Sequence, residues 1–349
     1  MHPRLAGFAV AVVFCSATAS VAQAQTLAME GASSDRVLDS AVVHAPGPGL
    51  WQVHKGDHTL WILGTVSPLP AGMAWNATKV RAVVMQADEV IGAPSITVGA
   101  DIGFFGKLAL LPSLIGVRGN PGGKSLRESL PEPTYARWLR LKQRHLGRAA
   151  SVEQWRPIFA GMELYQAAIK RQGLSGRGVV HEQLAGAMKT RGLKAVDVSA
   201  RTKVANPRGA VREFKASGFA DAECFSKTLD RVEYELPLLA ARAQAWASGD
   251  VAALAALREP SPDDVCQRAM LGGQFGAKYG IDTLEAKSRV KWVAEAESSL
   301  LRNRTTFAVL PMHDVLSTNG LVAMLAQKGY RVEAPAANAA DAEAAAPVR

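Results

Sequence analysis

Two apolar runs in the chain end in residues that could do chemistry. Trp61-Ile62-Leu63 runs into Gly64-Thr65-Val66-Ser67, and Thr305 to Leu310 runs into Pro311-Met312-His313-Asp314. Ser67 offers a hydroxyl, and His313 an imidazole able to act as a base or a metal ligand. A corner at the carboxyl end of a buried strand is where an α/β protein places such groups. Ser67 lies outside the Gly-x-Ser-x-Gly elbow that exposes a nucleophile, so its competing role is to satisfy a backbone group. His181 opens a helix and could enter a cleft; its competing role is an exposed or capping side chain. His58 precedes Ser67 by nine positions, roughly 30 Å along an extended strand. His54 sits on the partner strand at the same far end.

The elements that must position these groups follow from periodicity. Leu50 to Ser67 reads as two short strands around a Lys55-Gly56-Asp57 turn. Asn76 is placed to cap a helix with Val80, Val83, Val84 and Ala87 at helical spacing. Glu89 to Ile91 is a second core strand. The stretch 99–123 mixes glycine with large apolar residues, interrupted by Lys107 and Pro112, and reads as a core helix or as a lid over a pocket. A helix is expected from Glu132 to Gly147 with Trp138 and Leu139 inward. There Arg137, Arg140, Arg144 and Arg148 form a basic stripe. It reads as a solvated face, since no aromatic residues interleave to stack on bases.

Further helices are expected at Arg156–Arg171, His181–Arg191 and across 219–258. Ser288 should cap another through Leu301, and Leu321–Lys328 ends at Gly329. Ala195–Val198 and Tyr330–Val332 complete the strands. Strands alternating with helices predict an α/β (α+β) fold. Its central mixed sheet is opened by the amino-terminal hairpin and surrounded by helices, with a largely helical middle segment.

Nearly half of the 349 residues are apolar, enough for a sizeable core, and the formal net charge is +9. A basic surface favours anionic surroundings; nucleic acid is not expected for an exported chain. The export signal itself is legible. His2 and Arg4 precede the apolar run Leu5–Phe14, and Ala22-Gln23-Ala24 is a small-x-small cleavage site. Residues 1–24 are thus expected to be a signal peptide, 25–47 a flexible lead, and 336–349 a disordered alanine-rich tail. The mature chain would be periplasmic or secreted, with no transmembrane segment. It retains Cys224 and Cys266, which in an oxidising compartment either bridge or stay as buried thiols.

The order and separation of several motifs resemble the TraB/GumN family, related to Tiki-type metal-dependent peptidases, over residues 48–335. They are Leu50-Trp51-Gln52-Val53, Leu63-Gly64-Thr65-Val66-Ser67, a block from Gly178 to Val198, Phe307 to His313, Gly320-Leu321, and Lys328-Gly329-Tyr330-Arg331-Val332. The resemblance implies that two Gly-x-x-His corners and a glutamate after the second strand converge on a divalent metal. Such a site lowers the pKa of bound water at an open position, and the glycine is expected to let the backbone turn sharply.

Carried over residue by residue, the first histidine position is Ser67 and the glutamate position is Ala93. The second histidine, His313, is present, with Leu310 where glycine is expected. The family's Arg-Asn pair falls on Arg289-Val290, and an acidic residue after the middle strand falls on Ser199. Glu89 or Asp88 could replace the lost carboxylate only by a register slip.

Three readings result. The first is a non-catalytic or divergent relative that binds an envelope peptide, glycan or protein and needs no cofactor. The second is a metal-dependent hydrolase with altered ligands. In the third, if the two histidine positions share one metal in the family, Ser67 and His313 are neighbours and form a hydrolytic pair oriented by Asp314. The balance favours the first.

Overall fold

A computed structural model describes residues 46–336, apart from 101, 177, 218–220, 258–265, 267–268 and 270–272. The expected signal peptide 1–24, nearly all of the lead 25–47 and nearly all of the tail 336–349 lie outside the described residues.

Strands β1 (Leu50–Lys55) and β2 (His58–Thr65) form the expected hairpin. Lys55 faces His58 across its turn, where Gly56 takes a φ of +60° that only glycine adopts freely. Eight strands follow: β3 (Leu69–Pro70), β4 (Glu89–Ile91), β5 (Ile96–Ala100), β6 (Leu174–Ser175), β7 (Ala195–Val196), β8 (Ala200–Val204), β9 (Thr305–Pro311) and β10 (Arg331–Glu333). Six make one mixed sheet in the order β10-β1-β2-β9-β4-β7. Strands β2, β9, β4 and β7 run parallel, while β1 is antiparallel to both its neighbours. The pairs β3–β6 and β5–β8 form two small sheets.

The centre of the sheet is covered on both faces, which explains the near-continuous apolar runs of β2 and β9. Leu60, Ile62, Leu63, Phe307, Ala308 and Leu310 are all fully buried. The helix Leu284–Arg302 turns Trp292, Val293, Ala296 and Leu300 into this core. It starts four residues before Ser288, so the expected cap is wrong. Ser288 is buried and donates instead to the Glu285 carbonyl within the helix, 2.8 Å away. Asn76 bonds the Thr78 amide at 3.1 Å, one residue before the observed cap at Ala77.

The middle of the chain is helical, as expected, and builds a second apolar cluster. Helices Glu132–His145, Pro157–Arg171 and Ala222–Asp230 bury Trp138, Leu164 and Phe225, with Trp138 5.5 Å from Phe225. Leu139 is exposed, and Leu141, one turn on from Trp138, is buried in its place. The arginine stripe is partly an internal clamp: Arg137 pairs with Asp230 at 2.7 Å and Glu233 at 2.6 Å.

Segment 219–258 is more broken than expected. A π turn spans Arg231–Glu235, a 3₁₀ turn follows at Pro237, and Gly249 ends the next helix with a φ of +73°. Cys224 and Cys266 are joined as a disulfide. Arg156, 2 % exposed, donates to the carbonyls of Gly119, Phe214, Lys215 and Ser217 and ties the turn at 119 to the end of the helix Pro207–Ala216.

Helix Phe104–Leu114 overturns the core reading of 99–123. Phe105 is 82 % exposed and Ile115 76 %. The helix packs on the helix Pro207–Ala216, and these apolar side chains face outward.

Candidate functional site

The parallel strands end on one edge of the sheet, and the two chemically interesting corners meet there. Gly64 lies opposite Leu310 and Thr65 opposite Pro311. Two residues further along each chain, Ser67 and His313 line one cavity of about 290 Å³ with Arg231, Arg242 and Met312. This is the neighbourhood that the resemblance implies for positions 67 and 313.

The corner is held from below. Trp246, fully buried, donates from its indole nitrogen to the Gly64 carbonyl at 2.7 Å and packs edge-on against Trp75 at 5.1 Å. Gly64 serves here by its size. Its φ is not left-handed; a Cβ on it would meet Met312 Cε at 2.8 Å and Val315 Cγ2 at 3.3 Å. The expectation of a sharp glycine-dependent turn is therefore corrected to a demand for space, made by the short helix Met312–Leu316 crossing the strand.

His313 stands at the start of that helix with its side chain 46 % exposed, and its Nε2 is 3.5 Å from Asp314 Oδ2. Asp314 is buried and also pairs with Arg289, which donates in addition to the Asn319 carbonyl at 2.8 Å. Asp314 thus lies beside His313 and is itself anchored by Arg289. Ser67 is exposed, and its hydroxyl donates to the Gly176 carbonyl at 3.5 Å, away from His313. That is the backbone-satisfying role weighed against nucleophilic chemistry.

On its other side Ser67 borders a larger cavity of about 590 Å³. Strand β4 contributes Val90 and Ile91 to its wall, and the helix Val179–Thr190 contributes Val179, Leu184 and Met188. His181 lines this cavity near its exposed margin, so the structure brings it to the same edge of the sheet as Ser67.

The sequence model of the TraB/PrgY/gumN family matches residues 49–334. The chain belongs to this family. No curated protein matches the chain, and no solved structure does.

Set against the TraB/PrgY/gumN ligand pattern, the other positions are accounted for as follows. Ala93 lies exposed, two residues beyond β4, at the carboxyl edge where the glutamate is expected. Glu89 and Asp88 cannot replace it. They sit at the opposite end of β4, where Glu89 takes Arg302 at 2.7 Å and Asn303 at 2.6 Å, and Asp88 accepts the Thr305 amide at 3.1 Å. His58 donates from its Nδ1 to the Leu300 carbonyl and His54, on β1, bonds the Thr59 hydroxyl, both at the end of the hairpin far from Ser67. Ser199 is buried with its hydroxyl unpaired, while Lys291 takes the carbonyls of Asp197 and Ser199. Among the described residues no three His, Cys, Asp or Glu side chains converge as metal donors. His313 remains as a single donor, so the residues present do not fit the family's divalent metal site.

Arg231 and Arg242 were not foreseen as lining residues. Arg231 begins the π turn, lies 4.6 Å over the Tyr165 ring and has Glu235 3.5 Å from its Nε. An Arg–Glu pair at that spacing in a helical stretch reads in sequence as a solvated face. Here it lies in a π turn and lines the cavity.

Proposed function

We propose that this TraB/PrgY/gumN protein is exported to the cell envelope and binds a ligand at the carboxyl edge of its sheet without metal chemistry. One observation carries the reading: the edge keeps its cavities while the donor positions read Ser67, Ala93 and His313. A hydroxyl, a methyl group and one imidazole lack the three neutral or anionic donors that hold a catalytic divalent metal.

Of an envelope peptide, glycan or protein, the larger cavity favours a peptide with apolar side chains. Its walls are aliphatic, and sugars need many convergent polar groups.

Metal analysis of the purified protein tests the central claim. Less than stoichiometric divalent metal, with peptide binding in calorimetry that a chelator leaves unchanged, is the expected result. Stoichiometric metal lost in His313→Ala would replace this reading with the metal-dependent hydrolase.

A second reading rests on the shared cavity of Ser67 and His313 and on Asp314 behind the histidine. If the Ser67 hydroxyl swings from Gly176 to His313, the three groups form a nucleophile, base and orienting acid. Labelling by an organophosphonate probe that disappears in Ser67→Ala supports it, and absence of labelling removes it.

A further inference from the structure

The helix Phe104–Leu114 takes no part in the site, and its outer face is unusual for an exported protein. Phe105, Leu108, Leu111, Leu114 and the following Ile115 are 82, 55, 55, 40 and 76 % exposed. The first four are spaced by three and Ile115 follows directly, which gathers them on one half of the helix, and Ala109 and Pro112 are exposed with them. Several large apolar side chains presented together mark a place of contact.

Cations rim this face. The neighbouring helix Pro207–Ala216 sends Arg208 to the Ala109 carbonyl at 2.9 Å, midway along the apolar stripe, and Lys215 to the Ile115 carbonyl at its carboxyl end. Arg212 is exposed on the same helix, and Arg118 lies exposed over the Trp155 ring at 4.8 Å. The acid of that helix, Glu213, is occupied by Lys278 at 2.6 Å and Tyr279 at 2.9 Å.

We propose that this face seats the protein on an anionic phospholipid bilayer, with the helix lying in the plane of the headgroups. Aliphatic and phenyl groups in the acyl boundary beside arginine and lysine at the phosphates are what an interfacial helix requires. At about 1.5 Å per residue the helix is too short to cross a hydrocarbon core of about 30 Å. A second copy of the chain fits less well. Two-fold pairing of the stripe would bring Arg208, Arg212 and Lys215 of both copies together as like charges.

Co-sedimentation of the exported chain with vesicles tests this. Binding is expected to phosphatidylcholine vesicles containing phosphatidylglycerol, and to fall at least tenfold with phosphatidylcholine alone. The double substitution Phe105→Ser with Leu108→Ser should abolish it. These side chains are exposed, and an unchanged circular dichroism melt confirms the fold. Arg212→Glu, independent of the apolar stripe, should lower partitioning by roughly tenfold. Equal sedimentation with both vesicles, or binding untouched by either variant, overturns the proposal. So does a concentration-dependent dimer that the double substitution dissolves, which would assign the face to a second copy.

Discussion

Gly64→Ala adds one methyl group where β2 passes beneath the helix Met312–Leu316. That methyl would lie 2.8 Å from Met312 Cε, 2.9 Å from Met312 Sδ and 3.3 Å from Val315 Cγ2. The methionine contacts are the end of a flexible side chain and can swing aside; Val315 is β-branched and stiff. Overpacking a core by a methyl costs about 1–3 kcal/mol. Removing glycine's freedom from the unfolded chain returns about 0.4–1 kcal/mol. The net loss expected in urea denaturation is about 1 kcal/mol, and Gly64→Val should lose about 3 kcal/mol.

The decisive measurement is the cycle with Met312→Ala. In that background the nearest obstacle is gone, so Gly64→Ala should be close to neutral, a coupling of about 1 kcal/mol. The same penalty for Gly64→Ala in both backgrounds would refute the spatial argument and return the glycine to a backbone role.

Three other outcomes are expected. Cys224 and Cys266 close a loop of 42 residues, worth about 4 kcal/mol by chain entropy. The double serine variant should lose about that much in urea, and identical stability with and without reductant would contradict it. Burial pushes the Asp221 carboxyl above its ordinary range, against the opposing pull of the Ile158 amide and Arg156. Its folded form therefore holds the proton more tightly than its unfolded form. The associated stability is fully present below the unfolded value of about 3.9 and is lost as pH rises through the folded one. Asp221→Asn should flatten that decline across denaturation midpoints, and an unchanged slope would refute the assignment. Arg156→Met strands four half-buried carbonyls and should cost on the order of 3 kcal/mol in thermal unfolding; a shift under about 1 kcal/mol would count against the hub.

The sheet was readable because its strands obey local rules. The Lys55-Gly56-Asp57 turn fixes the hairpin, and apolar runs at 60–63 and 305–310 leave no choice but a doubly covered centre. The meeting of Ser67 and His313 was accessible only through the family's shared ligand geometry, since residues so distant in sequence carry no local sign of contact. Helix 104–114 was misjudged for a related reason. Composition says that Phe105 and Leu108 are apolar; whether anything covers them is decided by tertiary packing, which hydrophobic spacing cannot report. Arg231 sits in a π turn, a feature with no sequence signature of its own, so its place on the cavity wall is not legible from spacing.

The same distinction explains how a metal site can be lost from an intact fold. The side chains at positions 67, 93 and 313 are all exposed. None fills the core, so substituting Ser67 or Ala93 costs the scaffold little. The corner that carries them is fixed by other groups: Trp246 on the Gly64 carbonyl, Met312 and Val315 packed over Gly64, and Arg289 on buried Asp314. Breaking the Arg289–Asp314 pair would leave an uncompensated buried charge, at a typical cost of about 3–5 kcal/mol. Selection for folding alone therefore retains the frame around His313 and the two cavities beside it, and leaves the donor positions free to change. On the proposed reading, a ligand that needs only the shape of those cavities is served without the metal's donors.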